Sequence, residues 1–173
     1  MYYYAGIGAR KTPSHVLQYM QLQGKLLAEK GYVLRSGGAQ GADSAFEIGC
    51  DSVGGNKQIW STRNRHEWKE HQWVVPIVSD VCWERDFFTM KLYIQRLIGR
   101  NTYQIYGDPE NFEDCIKSEF VLYWSQPKNG ENCSGGTRYA IRMAIAAGIP
   151  CFNLYNQKAE YEAAFEYVFG SNL

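Results

Sequence analysis

The chain has 173 residues, 45% of them hydrophobic and 21% charged, with 18 basic and 18 acidic side chains that sum to a formal net charge of zero. That length and balance fit one globular domain, spanning 1–173, with a core covered on two sides, and they exclude a disordered chain. A neutral chain does not grip nucleic acid with its whole surface, so any such binding has to come from a local patch.

In chain order, residues 2–7 (YYYAGI) form a short aromatic and β-branched run that ends in glycine and predicts a strand. Thr12-Pro13-Ser14 offers a helix start, Val16, Met20, Leu22, Leu26 and Leu27 follow at helical spacing, and Gly31 stops the helix. Tyr32–Leu34 predicts a second strand running into Ser36-Gly37-Gly38, and Asp43 to Cys50 a helix rising from that loop. Gln58–Trp60 reads as a third, short strand. Residues 64–85, with Trp68, Trp73, Trp83 and the apolar run Trp73–Val78 around Pro76, read as a partly helical insertion. Phe87, Met90, Ile94, Leu97 and Ile98 step by three and four, predicting an amphipathic helix that ends at Gly99. Phe120–Trp124 is a nearly continuous apolar run, as in a central parallel strand covered on both faces. Residues 125–136 read as loop, Thr137 to Ala147 as helix stopped by Gly148, Ile149 to Leu154 as the last strand, and Ala159 to Phe169 as a final helix. Strands alternating with helices imply right-handed crossovers and a Rossmann-like α/β domain, its parallel sheet flanked by helices on both faces.

Three predicted strands end in glycine-rich turns that feed helices: Gly6-Ile7-Gly8-Ala9-Arg10, Ser36-Gly37-Gly38-Ala39-Gln40-Gly41-Ala42-Asp43, and Ser134-Gly135-Gly136-Thr137-Arg138. In such a fold these turns share the carboxyl edge of the sheet, where ligands bind. A phosphate touches main-chain N–H groups only where no Cβ intervenes, and a helix N-terminus adds unpaired donors and a partial positive charge. The dinucleotide fingerprint is absent. Lys11 stands where a third glycine belongs, and Arg35, not an acid, closes the second strand, which disfavours an NAD-dependent oxidoreductase.

Residues 31–43 (GYVLRSGGAQGAD) resemble the Gly-Tyr, Ser-Gly-Gly-Ala-x-Gly-x-Asp signature of the DprA (Smf) DNA-processing family. Arg100-Asn101 is similar to that family's Arg-Asn-Arg motif, with Thr102 in place of the second arginine. Ser134–Thr137 resembles its later Ser-Gly-Ser loop, and Gly148–Phe152 its final strand. The resemblance runs from residue 2 to about 155 and places the chain in the wider SLOG superfamily, together with the LOG nucleosidases and nucleotide-sensing defence domains. Against the family pattern, no helical domain is expected before the Rossmann core and no winged helix after it. Where the LOG pattern has a glutamate three residues after its glycine loop, this chain has Ala140.

The site expected on these grounds comprises Gly6, Gly8, Ala9, Arg10, Ser36, Gly37, Gly38, Ala39, Gln40, Gly41, Asp43, Arg100, Asn101, Ser134, Gly135, Gly136 and Thr137. Arg10, Arg63, Arg65, Arg100 and Arg138 are the candidate phosphate clamps, two or three of them expected to face ligand, and Tyr106 or a tryptophan of the insertion is the candidate base-stacking surface. No catalytic residue, metal or cofactor is expected. His66 and His71 lie five apart, the wrong interval for a zincin, and the five cysteines have no CxxC spacing, which fits a reducing compartment.

The leading expectation is binding without chemistry of a small nucleotide-derived ligand, such as a cyclic nucleotide or an ADP-ribose derivative. By analogy with stand-alone SLOG domains of phages, the role would be sequestration of a signal. The first alternative is single-stranded DNA binding of the DprA kind. The second is nucleoside-monophosphate N-glycosidase activity with Glu47 as the carboxylate. A cytoplasmic homo-oligomer without membrane attachment is expected. The N-terminus has no basic segment followed by an apolar run, so no signal peptide is expected.

Overall fold

The computed structural model describes residues 1–62, 71–155 and 157–170, the side chains of 157–160 excepted. Arg63, Arg65, His66, Glu67 and Trp68 lie outside the described residues.

The chain runs β1 (Tyr2–Gly8), α1 (Ser14–Glu29), β2 (Tyr32–Ser36), α2 (Ala42–Asp51), β3 (Lys57–Ile59), α3 (Val74–Val81), α4 (Leu92–Tyr106), β4 (Val121–Trp124), α5 (Thr137–Ala146), β5 (Cys151–Asn153) and α6 (Gln157–Phe169). All strand pairs are parallel, in the order β3-β2-β1-β4-β5. This is the Rossmann-like α/β domain expected from the alternation of elements.

Side chains alternate across the pleat, so each strand feeds two cores. Tyr4, Leu122 and Trp124 pack with Val16, Met20, Phe46 and Ala164, on the face covered by α1, α2 and α6. Ala5, Ile7, Val121 and Tyr123 pack with Val78, Ile98, Ile105 and Ile141, on the face covered by α3, α4 and α5. Two covered faces explain why β4 is apolar at every position. The insertion contributes α3 to the second face. Pro76 is the third residue of that helix, where the N–H it lacks has no intrahelical acceptor.

The helix expected to end at Gly99 takes a different course. Phe87–Thr89 is a separate 3-10 turn capped by the Asp86 carboxylate, which accepts from Phe88 N–H at 2.9 Å. The α-helix begins only at Leu92 and continues through Gly99 to Tyr106. A helical glycine costs about 1 kcal/mol relative to alanine. Burial of every residue from Asn101 to Tyr106 outweighs that local preference.

The true stop is Gly107, at φ 81°, where a Cβ would also lie 2.8 Å from the Arg35 guanidinium. Gly107→Ala should therefore destabilise the fold by roughly 1–2 kcal/mol in chemical denaturation. An unchanged midpoint would contradict this account of the helix end.

Candidate functional site

The chain steps outward from β1 through β2 to β3, then returns to the other side of β1 to lay down β4 and β5. The topology reverses between β1 and β4, and loops leaving those two strands diverge there to opposite faces. That crevice is where open parallel sheets hold ligands. Here it is a cavity of about 410 Å³.

Its lining comes from the carboxyl ends of β1 and β4, the loops after β1, β2 and β4, and helices α2, α4 and α5. The end of β1 supplies Ile7 and Gly8, the β1–α1 loop Ala9, Arg10 and Lys11, the β2–α2 loop Ala39, the first turn of α2 Asp43, and the end of β4 with the loop beyond it Trp124 and Gln126. Leu97, Arg100, Asn101 and Gln104 of α4 form one wall, their three- and four-residue steps putting them on one helical face. Ser134, Gly135, Gly136 and Thr137 open the far side at the N-terminus of α5.

Buried hydrogen bonds hold the α5 end in place. Asn153, fully buried at the end of β5, accepts from Ser125 N–H at 3.1 Å and donates to the carbonyls of Ser125 and Asn132 at 2.9 and 2.7 Å. Ser125 Oγ in turn accepts from Ser134 N–H at 2.8 Å. Asn101 reaches across from α4 and donates to the Gly136 carbonyl at 3.2 Å. No side chain caps α5, whose first turn faces the cavity.

The β2–α2 loop departs most from its expected use. The Asp43 carboxylate turns back and accepts from Gly8 and Gly37 N–H at 3.2 Å each and from Ala39 N–H at 3.3 Å. The glycine-rich amides expected to cradle a ligand phosphate are thus partly satisfied by the chain's own anion, at Gly37 and Ala39 of this loop and at Gly8 of the first. The physical reason is local. An acid in the first turn of α2 sits where the loop's donors converge, and buried amides take the nearest acceptor.

Only 3% of Asp43 is exposed. Burial pushes its carboxyl up to about 6, against the opposing pull of Arg100 and the three N–H groups.

Arg100 donates to the Gly37 carbonyl and, at 3.4 Å, to that of Trp60. Its Nε is buried with no hydrogen-bond partner among the described residues. Burial lowers its pKa, Asp43 raises it, and Arg10 lowers it further, as expected of two guanidinium groups sharing one cavity. Arg10 and Lys11 lie exposed at the mouth.

Eleven of the expected site residues line the cavity: Gly8, Ala9, Arg10, Ala39, Asp43, Arg100, Asn101 and Ser134 to Thr137. Gly6, Ser36, Gly37, Gly38, Gln40 and Gly41 do not. Gly6 leaves room for the Phe46 ring, Ser36 Oγ donates to the Gly6 carbonyl at 2.7 Å, and Gly41 is the N-cap of α2 against the β1–α1 loop. Gly37 backs onto Arg100, while Gly38 and Gln40 are exposed.

Among the candidate clamps, Arg10 and Arg100 reach the cavity. Arg138 instead donates to Tyr139 Oη at 2.8 Å and pairs with Glu84 at 3.6 Å. Tyr106 and Trp73 are spent in an aromatic cluster with Phe112, and it is Trp124 that lines the cavity. Glu47 lies outside the lining and pairs with Lys57 at 3.4 Å. His71 pairs with Asp108 at 3.0 Å, and among the described residues no three His, Cys, Asp or Glu side chains gather as a metal site.

The sequence reading missed Ile7, Lys11, Leu97, Gln104, Trp124, Gln126 and Ala140 as lining residues. Leu97 and Gln104 were reachable from Arg100 by helical spacing, had the helix not been ended at Gly99. Trp124 and Gln126 carry no local signal, since only the sheet order brings the end of β4 beside β1.

Fold and site together define a Rossmann-like α/β domain with a cationic crevice at its topological switch point. Searches of protein families, curated proteins and solved structures find no match to this chain. No described helix is long and apolar enough to cross a membrane.

Proposed function

We propose that the chain binds a small nucleotide-derived ligand, with its phosphate in the crevice between β1 and β4. The observation that carries this reading is the charge of the described lining: Arg10, Lys11 and Arg100 stand with one carboxylate, Asp43, which is already held by three amides. With the uncapped first turn of α5 on the opposite side, the crevice carries an uncompensated positive potential. Its volume suits a small organic ligand, and Leu97, Ile7 and Ala140 offer an apolar surface beside the cations.

The resemblance of residues 31–43 to the DprA signature supports membership of the SLOG superfamily, whose sensing branches bind nucleotides without consuming them. In this reading the Ser36–Asp43 segment shapes the crevice, while Arg10, Arg100 and the Ser134–Thr137 turn receive the anion. Binding is favoured over N-glycoside hydrolysis by the lining itself, where Ala140 occupies the place of a catalytic glutamate and Glu47 lies elsewhere.

The test is a thermal-shift panel of nucleoside monophosphates, cyclic nucleotides and ADP-ribose, followed by calorimetry. A ligand at about 100 times its Kd adds roughly 2.7 kcal/mol of stability. Arg10→Gln should weaken binding roughly 10- to 100-fold, the equivalent of one charge-assisted hydrogen bond at ~1.5–3 kcal/mol. Because Arg10 is exposed, that variant should unfold at an unchanged temperature without ligand. Failure of every nucleotide to shift the midpoint would overturn the proposal.

A further inference from the structure

We infer that Asp43 links anion binding to proton uptake, so that a ligand anion enters the crevice together with a proton on this carboxyl group. The inference rests on the reading of the crevice as an anion site.

The geometry supplies the link. Asp43 lines the crevice yet is 3% exposed, and its two oxygens clamp amides from both glycine-rich loops. An anion received by Arg10, Arg100 and the Ser134–Thr137 turn shares the crevice with Asp43 and therefore meets a second negative charge where water screens poorly. Two anions in one low-dielectric space do not both stay ionised, and the one whose proton affinity is already raised takes up a proton. The proton comes from solvent onto one Asp43 oxygen. With the proton on Oδ1, that O–H donates toward the ligand while Oδ2 keeps accepting from Gly37 and Ala39.

Among the described residues, few charged groups face Asp43. Arg100 reaches it from α4, and Arg10 and Lys11 line the same crevice from the β1–α1 loop. On its own helix Glu47 is paired with Lys57, and the lining residues from β4 and α5 carry no ionisable side chain. Among the described lining residues the other ionisable side chains are arginine and lysine, which leaves Asp43 as the one carboxyl group there.

Inorganic sulfate is the probe, because its charge is constant over the range in which phosphate itself titrates. Calorimetry of the wild type should give sulfate affinity about tenfold or more tighter near pH 5 than near pH 8, one unit of ligand-induced shift being a factor of ten. Titrations near neutral pH in two buffers of different ionisation enthalpy should show a fraction of a proton taken up per sulfate bound. In Asp43→Asn both the pH dependence and the proton uptake should vanish.

If sulfate binds, and Arg10→Gln weakens it, but the affinity is flat with pH and no proton is taken up, the proton link is overturned while the anion site stands. Persistence of the proton uptake in Asp43→Asn overturns it equally. If sulfate and nucleotides both fail to bind, the anion site falls and the link with it. The two-buffer measurement needs only the wild-type chain, so misfolding of the asparagine variant does not block the test.

Discussion

Gly49→Ala should lower the unfolding free energy by about 2–3 kcal/mol, the overpacking range, even though it replaces a poor helix former with the best one. Gly49 lies within α2, and a Cβ built there would sit 1.9 Å from the Gln21 carbonyl oxygen of α1. On α1, a Cβ at Gly24 would meet the Phe46 carbonyl at 2.5 Å. The two helices therefore touch backbone to backbone, and an added methyl cannot be accommodated by rotating a side chain. The helices must part, loosening Val16, Met20 and Phe46, all fully buried between them and the sheet. Intrinsic propensity pulls the other way by about 1 kcal/mol, so an isolated α2 would gain helicity from the substitution. Chemical denaturation of the whole chain discriminates cleanly. A gain of about 1 kcal/mol would mean that the α1–α2 contact is looser than the structure has it.

The second large effect is the pH dependence of stability at Asp43. Its carboxyl is raised to about 6 in the folded chain from an ordinary value of 3.8, chiefly by burial. The folded state therefore binds the proton more tightly than the unfolded state does. The stability this contributes is fully present below the unfolded value and is lost as pH rises through the folded one. The size of the shift corresponds to roughly 3 kcal/mol. Other groups titrate over the same range, so the informative quantity is the wild-type unfolding free energy minus that of Asp43→Asn. That difference should fall by about 2–3 kcal/mol between pH ~3 and ~7.5, in the wild type's disfavour at the higher pH. A difference independent of pH would mean that Arg100 and the three amides fully offset the burial of Asp43. The measurement needs no ligand.

Much of the fold was legible in the residues. The continuous apolar run at Phe120–Trp124 required two covered faces, and β4 has them. The Thr12-Pro13-Ser14 start and the glycines at 31 and 148 bounded α1 and α5 closely, because these are local steric signals. Gly99 misled for the opposite reason. A glycine ends a helix only when nothing beyond it gains from burial, and Asn101 to Tyr106 gain a great deal.

The candidate site was legible in part, on the same division. Glycine-rich turns after strands announced that the loops at 8–10 and 134–137 would meet at the sheet's carboxyl edge, and both line the crevice. The most specific motif, Ser36 to Asp43, did not disclose that its own aspartate would turn back onto its amides. Motif and resemblance give residue types in order, whereas the pairing of a donor with an acceptor depends on which loops the sheet brings together.

The sequence by itself determined the element types, the parallel sheet and the glycine-rich edge, since these follow from side-chain periodicity and from backbone freedom at single positions. Tertiary structure alone decided that the chain reverses between β1 and β4, that Arg100 of α4 overhangs the loop from β2, and that Asp43 fills amides drawn from two loops. Those are contacts between residues far apart in the chain. Their energies come from burial and from complementary charge in a shared space, which no local run of sequence contains.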